Sequence, residues 1–305
     1  SNVWTDAVRG VTKQLFSNQT SGASTQVTNV TSFDSDGFTL GTENQVNTNT
    51  EDFVSWNWKG GTTSGITTDG STTITPSTYN FNQTSGISVL KYGGNNTSGA
   101  KVAHGLGAAP AMTIVKTINT PNSWNIYQQA VDATAPEDYY MTFGTDARTD
   151  DSSRWNDTAP DSVNFTLGNA AAVNGSSNTM AAYCFAEKSG YSKFGNYKGN
   201  GNADGPFVYT GFRPSMVIVK GNTAEAWRQW DDKREGYNST NDSLSPNNTW
   251  VEAYRGTPQG IDILSNGFKL TSSNSEVNLS GTTYIYMAWA EFPLVSSNSK
   301  AGTAR

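Results

Sequence analysis

Three stretches of the chain share one pattern of apolar and polar positions. In Phe38 to Lys59 (FTLGTENQVNTNTEDFVSWNWK), Phe165 to Glu187 (FTLGNAAAVNGSSNTMAAYCFAE) and Phe268 to Glu291 (FKLTSSNSEVNLSGTTYIYMAWAE), a Phe-x-Leu run leads into a polar segment and then into a run alternating large and small side chains. That is the pattern of two strands joined by a polar loop. Sixteen residues separate Leu40 from Trp56 and Leu167 from Tyr183, and seventeen separate Leu270 from Met287, so the spacing holds while the loops drift.

A second block repeats between the last two copies. AHGLGAAPAMTIVK (Ala103 to Lys116) is echoed by VYTGFRPSMVIVK (Val208 to Lys220), with Pro110, Met112, Ile114 and Lys116 each 104 residues before Pro214, Met216, Ile218 and Lys220. Trp124 and Tyr127 are echoed by Trp227 and Trp230. A period of about 105 residues is too long for a solenoid repeat or a propeller blade and suits a whole small β-domain. The pattern predicts an all-β protein of tandem antiparallel β-sandwich repeats, jelly-roll or lectin-like in appearance. Residues 1–61 read as an incomplete first unit, 62–188 as a second, and 189–305 as a third with a tail. The first unit lacks any counterpart of Ile87 to Lys116, so its Val54 to Trp58 strand is expected to be completed from outside residues 62–305, by upstream chain, a neighbouring subunit or another protein.

In chain order, Val8, Val11 and Leu15 fall at helical spacing, and residues 4–18 read as a short helix or turn covering a sheet edge, a segment echoed at 230–247. Val27 to Phe33 reads as a strand and Asp34-Ser35-Asp36-Gly37 as its turn. Gly60 to Thr84 is a Gly/Thr/Ser-rich linker with one strand candidate at Thr72 to Thr75. Ile87 to Tyr92 and Gly190 to Tyr197 open the two complete units. Two long polar excursions, 128–160 and 231–260, are the natural places for binding.

Composition narrows the function. A net charge of -6 with no Lys/Arg cluster argues against nucleic acid as a partner. No apolar run is long enough to span a bilayer, so membrane insertion is not expected. The single cysteine, Cys184, sits in an alternating strand and reads as a small core residue. His104 is the only histidine, lies beside a Gly-rich turn with Tyr209 as its counterpart, and has no nucleophile near it in sequence. Glu187 and Glu291 close the same strand in different units, too far apart to flank one glycosidic bond. Lys116 and Lys220, which close the Pro-x-Met strand, are their expected partners. The Asp-x-Asp-Gly turn lacks the further oxygen ligands of a calcium loop. No catalytic residue, metal site or cofactor is expected.

These blocks resemble repeat modules in large virion proteins of marine tailed phages that infect cyanobacteria and abundant marine heterotrophs. The resemblance rests on FDSDGFTLG (33–41), VSWNWK (54–59), HGLGAAPAMTIVK (104–116), YCFAEKSGYSKFGNYKGNGNADGPFVYTGFRP (183–214), ILSNGFKL (263–270), YIYMAWAE (284–291) and the Thr-Ala-Arg ending. It implies a structural or appendage protein at the virion surface, such as a tail fibre, that assembles as a homo-oligomer or with other virion proteins and contributes to host attachment. A capsid-decorating protein or head fibre, and a glycan-degrading appendage enzyme, are the alternatives.

The remaining functional signal is aromatic. Of 9 Trp, 13 Tyr and 13 Phe, many fall at core positions of the repeat, but Tyr139, Tyr140, Trp155, Tyr237, Trp250 and Tyr254 lie in the polar excursions. Loop aromatics beside Asn and Asp suit a cell-surface glycan or a protein partner, and equally suit packing of a loop on its own module.

Overall fold

Alternating apolar residues broken every few positions by Gly, Asn and Ser give short strands, and the computed structural model describes residues 2–240, 242–250, 252 and 259–292. The chain opens with β1 (Val3–Trp4), β2 (Lys13–Phe16), β3 (Ser24–Thr25), β4 (Val30–Phe33), β5 (Phe38–Leu40) and the single-turn helix α1 (Asn44–Asn47). It continues with β6 (Thr78–Asn82), β7 (Ile87–Gly93), β8 (Ala100–Ala103), β9 (Met112–Thr117), β10 (Asn125–Gln128), β11 (Tyr139–Tyr140), β12 (Thr149–Asp150), α2 (Ser152–Trp155), β13 (Asn164–Leu167), α3 (Ala171–Asn174) and β14 (Thr179–Phe185). The last stretch holds β15 (Ser192–Lys198), β16 (Phe207–Tyr209), β17 (Met216–Gly221), β18 (Arg228–Asp231), β19 (Ile261–Leu264), β20 (Gly267–Leu270), α4 (Ser275–Asn278) and β21 (Thr283–Trp289). The fold is all-β and built from antiparallel sheets.

One compact unit contains residues 1–126 and 151–185. Its main sheet has the order β10-β9-β14-β7-β6, beside the pair β13-β8. The central strand β14 pairs Phe185 with Met112 and Ala181 with Lys116 on one edge, and Phe185 with Ile87 and Ala182 with Leu90 on the other. All but one of its residues are buried, so both faces are covered, which explains why MTIV and MAAYCF read as near-continuous apolar runs. Tyr92 of β7 meets Phe165 of β13 edge-on at 6.2 Å. On the other face Trp4 lies 5.2 Å from both Trp124 and Tyr183. The arm β1-β2-β3 provides this second cover. Trp124 Nε1 donates to the Phe16 carbonyl (3.0 Å), and the Tyr183 hydroxyl donates to Asp6 (2.7 Å), itself held by Arg9 (2.5 Å).

The other unit contains residues 127–150 and 186–305. Its sheets have the orders β15-β21-β17-β18 and β16-β20-β19. Here Met216 faces Trp289 and Lys220 faces Ile285, the same register 104 residues on. One cluster joins the two sheets, with Val217, Val219, Tyr284, Tyr286 and Tyr197 on one side and Val208, Ile263, Phe268 and Leu270 on the other. Residues 127–150 play the part of the N-terminal arm. Phe143 lies 5.2 Å from Trp227, whose Nε1 donates to the Thr142 carbonyl (2.9 Å).

Each unit is tied internally by one buried asparagine. Asn174 donates to the carbonyls of Thr97 (3.0 Å) and Gly168 (2.8 Å) and accepts from the Asn95 amide (2.9 Å). Asn278 donates to the carbonyls of Asn202 (2.7 Å) and Ser272 (2.8 Å) and accepts from the Asn200 amide (2.8 Å). Each joins the wide loop after β7 or β15 to the turn after β13 or β20.

Several expectations change. The helix over residues 4–18 is replaced by the β1-β2 hairpin, with Val3 facing Phe16, because Asp6 and Arg9 close a turn and Gly10 adopts φ 105°. The strand expected at Val54 to Trp58 does not form: this run carries no strand pairing, and only the β4-β5 hairpin and α1 of the first copy are present. Two units, rather than three consecutive spans, group the contacts, with residues 1–61 in one and 127–150 in the other. The expected Lys–Glu pairs are absent. In an antiparallel ladder two residues that each close their strand lie at opposite ends, so Lys116 faces Ala181 while Glu187 lies beyond the Phe185 end. Lys116 Nζ instead donates to the carbonyls of Thr20 (3.0 Å), Thr117 (3.0 Å) and Asn122 (2.8 Å), and Lys220 to those of Gly221 (3.0 Å) and Thr223 (2.7 Å). Glu187 pairs with Lys193 (3.0 Å) and Glu291 with Lys233 (2.9 Å).

Candidate functional site

The residues with chemical potential are engaged in holding the fold. His104 is fully buried at the end of β8. Its Nδ1 accepts from the Leu106 amide (3.1 Å) and its Nε2 lies 3.1 Å from the Asp161 carbonyl, an arrangement that fixes a neutral ring protonated at Nε2. Burial lowers its pKa further. Its structural counterpart is Thr210 rather than Tyr209: the amides of His104 and Thr210 donate to Val163 and Asn266, which correspond in the two units. Both precede a glycine at positive φ, Gly105 and Gly211. Cys184 is buried and its thiol is pushed up to about 12 by desolvation, so it is inert as a nucleophile. Asp34 closes the β4-β5 turn, accepting from Ser32 (2.9 Å) and Thr39 (2.8 Å). Among the described residues no group of three His, Cys, Asp or Glu side chains could hold a metal ion.

The loop aromatics separate by environment. Tyr139 and Tyr140 form β11, paired with Asp150 and Thr149 of β12, and the Arg148 guanidinium stacks 4.1 Å from the Tyr139 ring. Arg148 is anchored in turn by Asp132 (2.7 Å) and the Val131 carbonyl (2.5 Å). Trp155 is buried in α2. Trp250 receives the Arg228 guanidinium 5.0 Å from its ring, with Arg228 also paired to Glu276 (2.5 Å). These four contribute to packing of the excursions. Tyr254 lies outside the described residues.

Tyr237 differs from them. It is 71% exposed and stands at a cleft of about 270 Å³ lined by Arg213, Asp232, Gly236, Asn238, Thr240 and Ile263. The walls are fixed. The Asn238 amide donates to the Ile263 carbonyl (3.0 Å) and accepts from its N–H (2.9 Å), and Thr240 bridges Ile261, so residues 238–240 line the free edge of β19. Asp232 accepts from the Ser215 hydroxyl (2.6 Å) and pairs with Arg213, whose side chain is still 42% exposed. An exposed ring beside a half-exposed guanidinium, a carboxylate and an amide offers the stacking face and the planar donors and acceptors that a sugar ring requires.

Sequence reasoning missed a pair of exposed aromatics in the small sheet that contains Ile263. Phe207 and Tyr209 of β16 are 48% and 66% exposed and flank buried Val208, which meets Phe268 and, through it, Ile263 of the cleft wall. Their alternation about an apolar residue is identical to that of a core strand, so only the three-dimensional arrangement separates the two cases.

The sequence model of family DUF7483, described as a domain of unknown function, matches residues 1–293. No curated protein and no solved structure matches the chain.

Proposed function

The chain belongs to the DUF7483 family, and we propose that it is a non-enzymatic structural module of a phage virion, placed on a tail fibre or other surface appendage, that contributes to host attachment through glycan contacts at the Tyr237 cleft. The observation that carries this reading is the cleft itself, where an exposed Tyr237 stands among Arg213, Asp232 and Asn238 on a wall fixed by backbone bonds to β19. The resemblance of the repeated motifs to phage virion modules supports the setting, and the internal use of His104 and Cys184 supports a binding rather than a catalytic role.

The test is binding of the full chain to a panel of bacterial envelope polysaccharides, with release of reducing ends followed in parallel. Saturable binding is expected, weakened at least about tenfold (about 1.4 kcal/mol) by Tyr237→Ala and by Arg213→Ala, with no cleavage. Binding indifferent to both substitutions, or release of reducing ends, overturns the reading. Antibody labelling of whole particles then distinguishes an appendage from the head.

A further inference from the structure

The two complete units treat one strand edge differently. In the unit of residues 1–126 and 151–185, the outer edge of β8 is filled by a strap of the chain. The amides of Thr73 and Ile74 donate to the Lys101 carbonyl (3.0 and 2.9 Å), the Ala103 amide donates to the Ile74 carbonyl (3.3 Å), and Ile74 bridges Val102 in the parallel sense. The corresponding strand of the other unit is β16: Val102 faces Phe165 as Val208 faces Phe268. Residues 186–191, which join β14 to β15, are too few to provide such a strap. Among the described residues nothing pairs with the outer edge of β16, where Phe207 and Tyr209 present backbone groups beside exposed rings. The outer edge of β15, by contrast, is closed by side chains. Glu187 accepts from the Phe194 amide (2.9 Å) and Gln129 donates to the Phe194 carbonyl (3.0 Å).

A second open element lies in the first copy. Residues 53–57 alternate in exposure along the pattern that makes β14 and β21 central strands, yet their main chain makes no hydrogen bond to any described residue. Phe53 is 49% exposed, and Val27 and Phe33 of the same copy are exposed too. An apolar run with bare backbone groups on both edges is a template for another strand.

We propose that these two elements join copies of the chain head to tail: residues 53–57 of one copy add to the outer edge of β16 of a second copy, taking the place that the Thr73–Ile74 strap takes on β8. The first unit shows the kind of segment this edge accepts, a short run with β-branched and apolar residues supplied by the same sequence. Phe53, which shares its face of the extended run with Ser55 and Asn57, supplies the aromatic cross-strand contact with Phe207 and Tyr209. Because the two surfaces differ, the contact is heterologous and propagates as an open filament unless the rotation closes a ring. The joint depends on strand edges alone and would stand if the cleft bound no glycan.

Sedimentation of the full chain up to about 1 mM tests it, because a single short strand addition gives weak association. The expected result is reversible, concentration-dependent growth beyond a dimer. It is weakened at least about tenfold by Ser55→Pro, which removes an unbonded amide, and by Tyr209→Lys, which puts a charge on an exposed edge. Neither substitution touches the core, so melting temperatures stay unchanged and confirm folding. In a second measurement, Ser55→Cys and Tyr209→Cys chains are mixed under oxidation, and a mixed disulfide dimer is expected well above the yield with Asp69→Cys in place of Tyr209→Cys. A chain that remains monomeric, association that survives both variants, or cross-linking no greater than the Asp69→Cys control overturns the proposal.

Discussion

Residues 54–57 and 181–184 occupy the same place in two copies of one pattern, and their fates are opposite. Ala181 to Cys184 form the middle of β14, bonded to β7 and β9 on its two edges and fully buried. Val54 to Asn57 follow the equivalent Phe-x-Leu strand and helical turn, β5 and α1 in place of β13 and α3, but have no strand on either side. The nodal asparagine shows the same contrast. The Asn174 side chain makes three bonds that join the loop after β7 to the turn after β13, whereas that of Asn47 keeps only the donor bond to the Gly41 carbonyl (2.7 Å), the counterpart of Gly168, and is exposed. Local pattern therefore prepares a strand, and the flanking strands decide whether it becomes one. This accords with the way strand preference measures fit to a half-buried surface rather than intrinsic backbone bias.

Proline placed in the two copies should separate them most sharply. Ala182→Pro removes a ladder bond from a central strand and intrudes on fully buried space, and should cost about 4 kcal/mol or prevent folding. Ser55→Pro should change the unfolding free energy by less than about 0.5 kcal/mol, read from chemical denaturation. Equal losses would remove the distinction.

Truncating the asparagines comes next. Asn174→Ala leaves the buried Gly168 carbonyl and the partly buried Thr97 carbonyl and Asn95 amide without this partner and should cost about 3 kcal/mol. Asn278→Ala should match it, while Asn47→Ala should cost less than about 0.5 kcal/mol. Chemical denaturation of the three variants gives the ranking.

The two buried lysines sharpen the likeness of the complete units. Desolvation lowers both Lys116 and Lys220 to about 8 from 10.5. A lysine whose folded pKa is depressed releases its proton more readily when folded, so its penalty is fully present below pH 8 and is relieved as pH rises from 8 towards 10.5. Raising the pH from 7 to 9 should therefore add about 1 kcal/mol of stability per lysine. Above pH 9 a smaller opposing contribution begins as Cys184, raised to about 12 when folded, ionises more readily in the unfolded chain. Lys116→Met and Lys220→Met should each remove about half of the rise between pH 7 and 9. A flat profile over that window would contradict the desolvation of both amines.

Much of the fold could be read from the spacing of residues. The offset of 104 between the Pro-x-Met strands corresponds to matching ladders, and the Phe-x-Leu runs correspond to β13 and β20, but these lie in different sheets from the following strands β14 and β21, so the hairpin that each copy suggests does not form. What misled was information that sequence does not carry. Val8, Val11 and Leu15 fit a helical stripe, but a turn closed by Asp6 and Arg9 takes precedence. The repeated Lys and Glu each close a strand, but strand direction is invisible in a list of residues, and the antiparallel ladder places them at opposite ends. Which cover packs on which sheet, the arm on Trp124 or residues 127–150 on Trp227, is a long-range matter with no local trace. Of the candidate site, Tyr237 was visible as an aromatic in a polar excursion. Arg213 and Asp232 were not, because only the fold places them beside it.

Hydrogen exchange resolved to single amides, at a dilution where the chain is monomeric, tests the central claim most directly. Residues 181–184 and their counterparts 285–288 should be protected up to the global stability of their units, while the amides of residues 54–57 should exchange near the rate of an unstructured peptide. Protection of residues 54–57 comparable to that of β14 would show that the first copy is paired within the single chain, and would contradict the account.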